Sequence, residues 1–326
     1  MERIKSFCLS IGLAVVVNLG SNVFGTNIEN KDYLSSWNDG KAKKELIEYV
    51  KRITDVKSEK YVKPEDRIAV LDLDGTLMVE EPVNFQRAIA IKRLKELATE
   101  NADLRSVQPY KSAWEDDGKY YNDKKNHSFV FLKAFENCSH EDYVNYVDDF
   151  LKTQKAPYWK VSFEELFYKP SLELVDFLRK NEFEVFVVSL TEEGCIRLLL
   201  RNVLGIKFHR VIGNAVKLNC DEMNGKCMFI MTEEFVSPEN KQEGKCRNIM
   251  QRIGKRPIFA FGNSMGDFDM LKCTKSPSKE NFVMILDHDD EKREKKYCCE
   301  ELLDHARRNG WVVVSMKDDF KNVFNF

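Results

Sequence analysis

Asp72 and Asp74, two residues apart with Leu73 between them and Gly75-Thr76 behind, form the densest grouping of chemistry-bearing side chains in the sequence. The preceding run Ile68-Ala69-Val70-Leu71 is too short for a helix and reads as a buried parallel strand. Two carboxylates therefore leave a strand at its carboxyl end, where open α/β sheets hold their ligands. A spacing of two sends the side chains to opposite sides of an extended backbone unless the chain turns, and Gly75 permits the turn. Two acids, a sharp turn and a hydroxyl at a strand end look like a phosphoryl-transfer site.

Three further sites share that address, just beyond an expected strand or at the start of a helix. Ser189 ends the run Val185-Phe186-Val187-Val188; Gly262-Asn263-Ser264-Met265-Gly266-Asp267 follows Pro257 to Phe261; Lys245 follows Gly244 and opens a helix. Each also has a plainer reading. Ser189 suits a cap, Asn263 to Asp267 suits a Gly-Asn turn, and Lys245 has Lys241 and Lys255 as rivals. His288, with Asp289 and Asp290, ends another strand and reads as a structural turn before a catalytic group.

In order and spacing these four sites resemble the signature motifs of the haloacid dehalogenase (HAD) superfamily. Ser36-Trp37-Asn38-Asp39-Gly40, Ile253-Gly254-Lys255-Arg256-Pro257, His288-Asp289-Asp290 and Val314 to Asp319 resemble an exported, phosphoserine-phosphatase-like branch of it. The resemblance runs from about residue 34 to the end and does not identify a substrate. It implies a Mg²⁺-dependent phosphatase (a phosphoric monoester hydrolase) in which Asp72 is the nucleophile and Asp74 the general acid and base. It further implies metal ligands from Asp72, the Asp74 backbone carbonyl, Asn263 and Asp267, and phosphate binding by Ser189, Lys245 and Thr76. An acid at Asp74 argues against dehalogenation, because a leaving halide needs no proton. Many relatives carry an aspartate where Asn263 stands and glycines where Leu190-Thr191 follow Ser189.

The elements that must position these residues alternate. Runs at 184–188, 209–212, 257–261, 282–286 and 312–315 read as strands separated by helices, which implies an α/β fold with a doubly wound parallel sheet. Residues 82–169 break the alternation directly after the first strand. They are helical, aromatic and charged, with helices expected at Asn84–Leu97, His140–Leu151 and Phe163–Tyr168. The chain is accordingly divided into a signal peptide (1–25), a Rossmann-like HAD core (26–81 and 170–326) and an inserted helical cap (82–169). Ser36 to Thr54 reads as a helix capped by Ser36, or by Asn38 with Asp39. The aromatics of the inserted block, Trp114, Tyr120, Tyr121, Trp159, Phe163 and Phe167, read as core before pocket lining.

Length and composition set the outer limits. A chain of 326 residues, 43% hydrophobic and 32% charged, can bury a full core. A formal net charge of -2 gives no reason to expect nucleic acid. Arg3 and Lys5 before the apolar stretch Phe7 to Val17, then small residues near Gly25, have the layout of a secretory signal. The expected location is secreted or periplasmic, with an uncleaved, membrane-tethering signal anchor as the alternative; the apolar run is short for a membrane span. Export makes pairing among the cysteines at 138, 195, 220, 227, 246, 273, 298 and 299 plausible chemistry, first Cys220 with Cys227 across the hairpin signal Asn224-Gly225. No CxxC pair points to zinc, and Asn126 and Asn137 are glycosylation acceptors in a eukaryotic secretory setting. The partner these features favour is a small phosphate ester. A phosphotransferase of the same fold and a non-catalytic secreted binding protein are the competing functions, and the oligomeric state is open.

Overall fold

The computed structural model describes residues 33–326 apart from 83, 224 and 276–279. The expected signal peptide lies outside the described residues. Helix α1 (Lys41–Thr54) leads into strand β1 (Ile68–Leu71); helices α2 (Phe85–Glu100), α3 (Tyr110–Trp114), α4 (Gly118–Asn122), α5 (His127–Phe135) and α6 (His140–Thr153) follow. The alternating part resumes with α7 (Lys169–Lys180), β2 (Glu184–Glu192), α8 (Glu193–Leu204) and β3 (Val211–Asn214). A hairpin of β4 (Val216–Met223) and β5 (Lys226–Phe235) intervenes before α9 (Glu243–Ile253), β6 (Phe259–Gly262) and α10 (Phe268–Thr274). The chain closes with β7 (Phe282–Asp287), α11 (Glu300–Asn309), β8 (Val312–Ser315) and α12 (Met316–Asp319).

Six strands form one parallel sheet in the order β3-β2-β1-β6-β7-β8. The order reverses at β1, so the crevice beyond its carboxyl end lies between two outward-running connections, as ligand sites in such sheets do. Alternation along β1 sends Ala69 and Leu71 to one apolar cluster, and Ile68 and Val70 to the other. Leu46 and Val50 of α1, Leu174 of α7 and Leu199 of α8 fill the first face, while Ile249 of α9, Met270 of α10 and Leu302 of α11 fill the second. Each fully buried Leu, Ile or Val contributes roughly 1.5–3 kcal/mol relative to exposure.

Residues 82–169 supply no strand to the sheet. Asn84 caps α2 through a bond from the Arg87 N–H (3.0 Å), and Ser139 caps α6 from the Asp142 N–H (3.1 Å). The two connectors of this block pair with one another: the Val79 N–H donates to the Leu166 carbonyl (3.0 Å) and the Tyr168 N–H to the Leu77 carbonyl (2.9 Å). Phe163, Phe167 and Tyr121 are core, whereas Trp114 is 40% exposed.

Some boundaries depart from expectation for local reasons. Residues Phe163–Leu166 form a single 3-10 turn held by a Ser162–Glu165 capping box, and the expected helix there does not extend to 168. Residues Phe208–Arg210 form another such turn, so β3 starts at Val211. Gly40 stands at the N-cap of α1, because Asp39 is bound instead to Lys43 (3.0 Å). Cys220 and Cys227 are joined in a disulfide; they sit diagonally in the ladder, with Glu222 opposite Cys227. The other described cysteines are free.

Candidate active site

Strand β1 ends at Leu71, and the Asp72 N–H still follows the ladder, donating to the Phe261 carbonyl of β6 (3.0 Å). The chain then turns through Gly75, whose φ of +75° favours glycine. A Cβ at that position would run into Asn263 Nδ2, Glu80 Oε1 and the Tyr297 hydroxyl. The turn is closed by bonds from Thr76 and Leu77 N–H to the Leu73 carbonyl (3.2 and 2.8 Å). Both carboxylates consequently face a cavity of about 1650 Å³, whose walls include Ser189, Lys245, Asn263 and Asp267.

Lys245 is brought in by the first turn of α9, where a Cβ on Gly244 would strike the Glu239 carbonyl. Its Nζ donates to Asp72 Oδ1 (2.5 Å), Asp267 Oδ1 (2.6 Å) and the Val188 carbonyl (2.8 Å), which uses all three ammonium hydrogens. Burial works against the charge on Lys245, but Asp267 and then Asp72 outweigh it and hold the ammonium above its ordinary range. Burial, followed by Asp267, pushes the Asp72 carboxyl up, with Lys245 opposing. One of the two rival lysines is accounted for elsewhere: Lys255 bonds the Glu65 carbonyl and Asp66 (both 2.9 Å).

Asp74 is asymmetric. Its Oδ2 accepts from Thr191 Oγ1 (2.7 Å) and Ser189 Oγ (3.2 Å), while Oδ1 is buried without a partner. Desolvation raises its carboxyl above the usual range against the pull of those two hydroxyls. A carboxyl tied down through one oxygen, with a bare and proton-prone second oxygen, is equipped to pass a proton to a ligand atom. Ser189 also accepts from the Thr191 N–H (3.0 Å), so its hydroxyl is engaged with Asp74 and its own loop.

Asn263 and Asp267 come from the β6–α10 turn. Asp267 Oδ2 accepts from the N–H groups of Asn263 (3.1 Å) and Ser264 (3.0 Å), and its other oxygen meets Lys245. Thr76 is fully buried (0% exposed), its hydroxyl lying 3.2 Å from Asn263 Oδ1 and 3.4 Å from Asp72 Oδ2. Among the described residues no three His, Cys, Asp or Glu side chains gather as a ready metal cage. The oxygens of Asp72 and Asn263 nevertheless fit a hard cation, for they are carboxylate and amide donors with no sulfur. The charge agrees as well, since Asp72 and Asp267 share the single Lys245 ammonium, and Arg87 acts on Asp74 more weakly than Lys245 does.

All seven site residues expected from the sequence meet at this one strand end, with Thr76 beneath the loop and Asp267 behind Lys245. Sequence reasoning missed Thr191, Glu80 and Tyr297. Thr191 carried a signal, a hydroxyl two residues after Ser189 where glycine is common; the other two carried none. His288, read as a turn residue, reaches the loop itself: its Nε2 lies 2.7 Å from the Gly75 carbonyl. The segments 36–40 and 314–319 meet each other, through the Asn38 N–H to Asp319 carbonyl bond (2.8 Å), with Trp37 against the adjoining Phe320 ring (5.0 Å).

Comparison with solved structures supports the fold. A protein of unknown function from Anaerococcus prevotii DSM 20548 is 15% identical, with a TM-score of 0.55, over 87% of this chain and 94% of that one. A protein of unknown function from Bordetella pertussis Tohama I is 14% identical, with a TM-score of 0.50, over 76% of this chain and 97% of that one. No curated protein sequence matches the chain. The haloacid dehalogenase-like hydrolase family matches residues 69–272, which contain Asp72, Asp74, Ser189, Lys245, Asn263 and Asp267. On that match and this sheet, the chain belongs to the haloacid dehalogenase-like hydrolases.

Proposed function

We propose that the protein is a Mg²⁺-dependent phosphomonoesterase that hydrolyses a small phosphate ester through an aspartyl-phosphate on Asp72. The observation that carries this reading is Lys245 Nζ bonded to both Asp72 (2.5 Å) and Asp267 (2.6 Å) at a parallel-strand end, beside an acid with one bare oxygen. Family membership gives hydrolysis; the paired acids and buried ammonium favour a phosphate ester as the substrate. The inserted block over the strand ends serves as a cap that shields the first displacement from water.

In the first step Asp72 attacks phosphorus, the ester oxygen departs, and Asp74 Oδ1 gives that oxygen its proton. In the second, Asp74 takes a proton from water, the water oxygen attacks the aspartyl-phosphate, and Asp72 is released with inorganic phosphate. Lys245 gives up its bond to Asp72 as that carboxylate takes the phosphoryl group and pairs with a phosphoryl oxygen instead, while Ser189, expected to bind phosphate, serves with Thr191 to hold Asp74 in place. Asp72, the Asp74 carbonyl and Asn263 would hold Mg²⁺; Asp267, expected among the ligands, has one oxygen on Lys245 and the other on the Asn263 and Ser264 N–H groups, and so orients them from behind. When bound, the cation neutralises charge on the phosphoryl oxygens.

We place the mature protein outside the cytoplasm, in keeping with the basic-apolar amino terminus and with the Cys220–Cys227 bond, which oxidising compartments favour. Phosphate release from a panel of phosphomonoesters, with and without Mg²⁺, tests the activity. Release that depends on the cation and disappears in Asp72→Asn is the expected result. Release that persists in Asp72→Asn removes Asp72 as nucleophile.

A further inference from the structure

Beyond the four motifs, a chain of buried and half-buried polar groups links the nucleophile's loop to both connectors of the inserted helical block. Its centre is His288, at the end of β7 and 2% exposed, whose ring stacks on Tyr297 at 4.1 Å with the planes 15° apart. A carbonyl can only accept, so His288 Nε2 donates to the Gly75 carbonyl at 2.7 Å; the Tyr297 oxygen lies 2.9 Å from the same nitrogen.

From Tyr297 the chain runs to the first connector. The hydroxyl donates to Glu80 Oε1 (2.7 Å), and Glu80 follows Val79, which pairs with the second connector at Leu166. Asn263 Nδ2 donates to the same Glu80 oxygen (3.0 Å) and lies 3.4 Å from the Tyr297 oxygen. That leaves Asn263 Oδ1 turned to the Thr76 hydroxyl (3.2 Å), which in turn lies 3.4 Å from Asp72 Oδ2. From the other side of His288, Nδ1 faces Glu294 Oε2 (3.3 Å), and Glu294 Oε1 accepts from the Tyr168 hydroxyl (2.5 Å). Tyr168 is the last residue of the second connector, just before α7.

We propose that Tyr297 and His288, with Glu80 and Glu294, are positioning residues that fasten both connectors of the helical block to the Gly75 turn and to Asn263. The arrangement couples the stance of the block to the loop bearing Asp72 and to the amide oxygen offered to a cation. None of the four acts on the phosphoryl group. Glu80 fixes which end of the Asn263 amide faces Thr76, and His288 fixes the carbonyl at the one left-handed residue of the turn. Gly75 has no room for a side chain because Glu80, Tyr297 and Asn263 already fill the space beside it.

The inference rests on reading that loop as the nucleophile's, and its test separates the two. Tyr297→Phe keeps the ring over His288 and removes only the hydroxyl. Amide hydrogen exchange would be followed on the full chain by mass spectrometry, alongside Mg²⁺ titration by calorimetry and p-nitrophenyl phosphate turnover. The expected result is faster exchange in peptides spanning 72–80 and 166–168, both remote in sequence from the substituted tyrosine. Half-saturation by Mg²⁺ should also shift upward by about tenfold, as loss of a group behind a metal ligand commonly does. Faster exchange confined to 288–299, with Mg²⁺ half-saturation within about twofold, would overturn the proposal. Should Tyr297→Phe not fold, Glu80→Gln is read the same way: unaltered exchange at 166–168 and 288–299 overturns it. Should wild type release no phosphate from any ester, the phosphatase reading fails, while exchange and calorimetry still decide on the coupling.

Discussion

Asp74 keeps one oxygen bare and the other under two hydroxyls, and this asymmetry makes a prediction of its own. A proton donor assists a leaving group only as far as that group needs the proton. Thr191→Val removes the shorter of the two bonds without changing the shape of the side chain much. Turnover of an alkyl phosphate should fall by about tenfold or more, and that of p-nitrophenyl phosphate by less than about threefold. Parallel losses on both substrates would mean that Thr191 serves the loop and not the acid. Lys245 makes a second prediction at this scale. Removing a buried ammonium leaves Asp72 and Asp267 facing one another uncompensated, so Lys245→Met should cost about 3–5 kcal/mol in stability as well as the activity. Urea unfolding measures the first loss, and a stability change below about 1 kcal/mol would contradict the ion-pair account.

Among the elements, the strands were legible because burial on both faces writes them as short apolar runs. Ile68–Leu71, Val185–Val188 and Phe282–Leu286 need no partner to be recognised. The motif residues were legible for a related reason, since chemistry places them at strand ends and a strand end can be read locally. Tyr297 and Glu80 lie 217 residues apart in sequence and meet only in the fold, so no local pattern announces them. The 3-10 turns at 163–166 and 208–210 fall within or beside stretches that read as helix (163–168) and strand (209–212), because a segment of three or four residues is too short for either period to decide. The start of α9 offers a test of how an element aims a side chain. Gly244→Ala would drive a Cβ into the Glu239 carbonyl, tilting the first turn that carries Lys245. The substituted protein should keep its far-ultraviolet circular dichroism and lose at least about tenfold in kcat. Unchanged kcat would show that the first turn does not set the lysine.

For the whole molecule, the two ends of the described chain close on one another beside α7. Trp37 is 2% exposed, donates its indole N–H to the Pro170 carbonyl (3.0 Å) and meets Phe320 edge-on, while Ser36 and Glu173 bond at 2.9 Å. Trp37→Ala should cost about 3–5 kcal/mol by leaving a large cavity, and below the lowered Tm it should leave KM unchanged. A shift in KM would place that contact in communication with the site. Cation binding acts on the same global equilibrium, since a ligand that binds only the native state stabilises it by mass action. Tm should therefore climb with added Mg²⁺ in wild type and climb less in Asp72→Asn, as read by calorimetry. An equal rise in both would put the cation elsewhere.

The account depends on a phosphoryl group passing onto the Asp72 carboxylate. Rapid acid quench of a turnover with ³²P-labelled ester, followed by peptide mapping, tests this most directly. Label on the peptide that contains Asp72, absent from Asp72→Asn and released by hydroxylamine as an acyl phosphate is, would bear the account out. Turnover with no labelled peptide at any quench time, or with the label on Ser189, would contradict it.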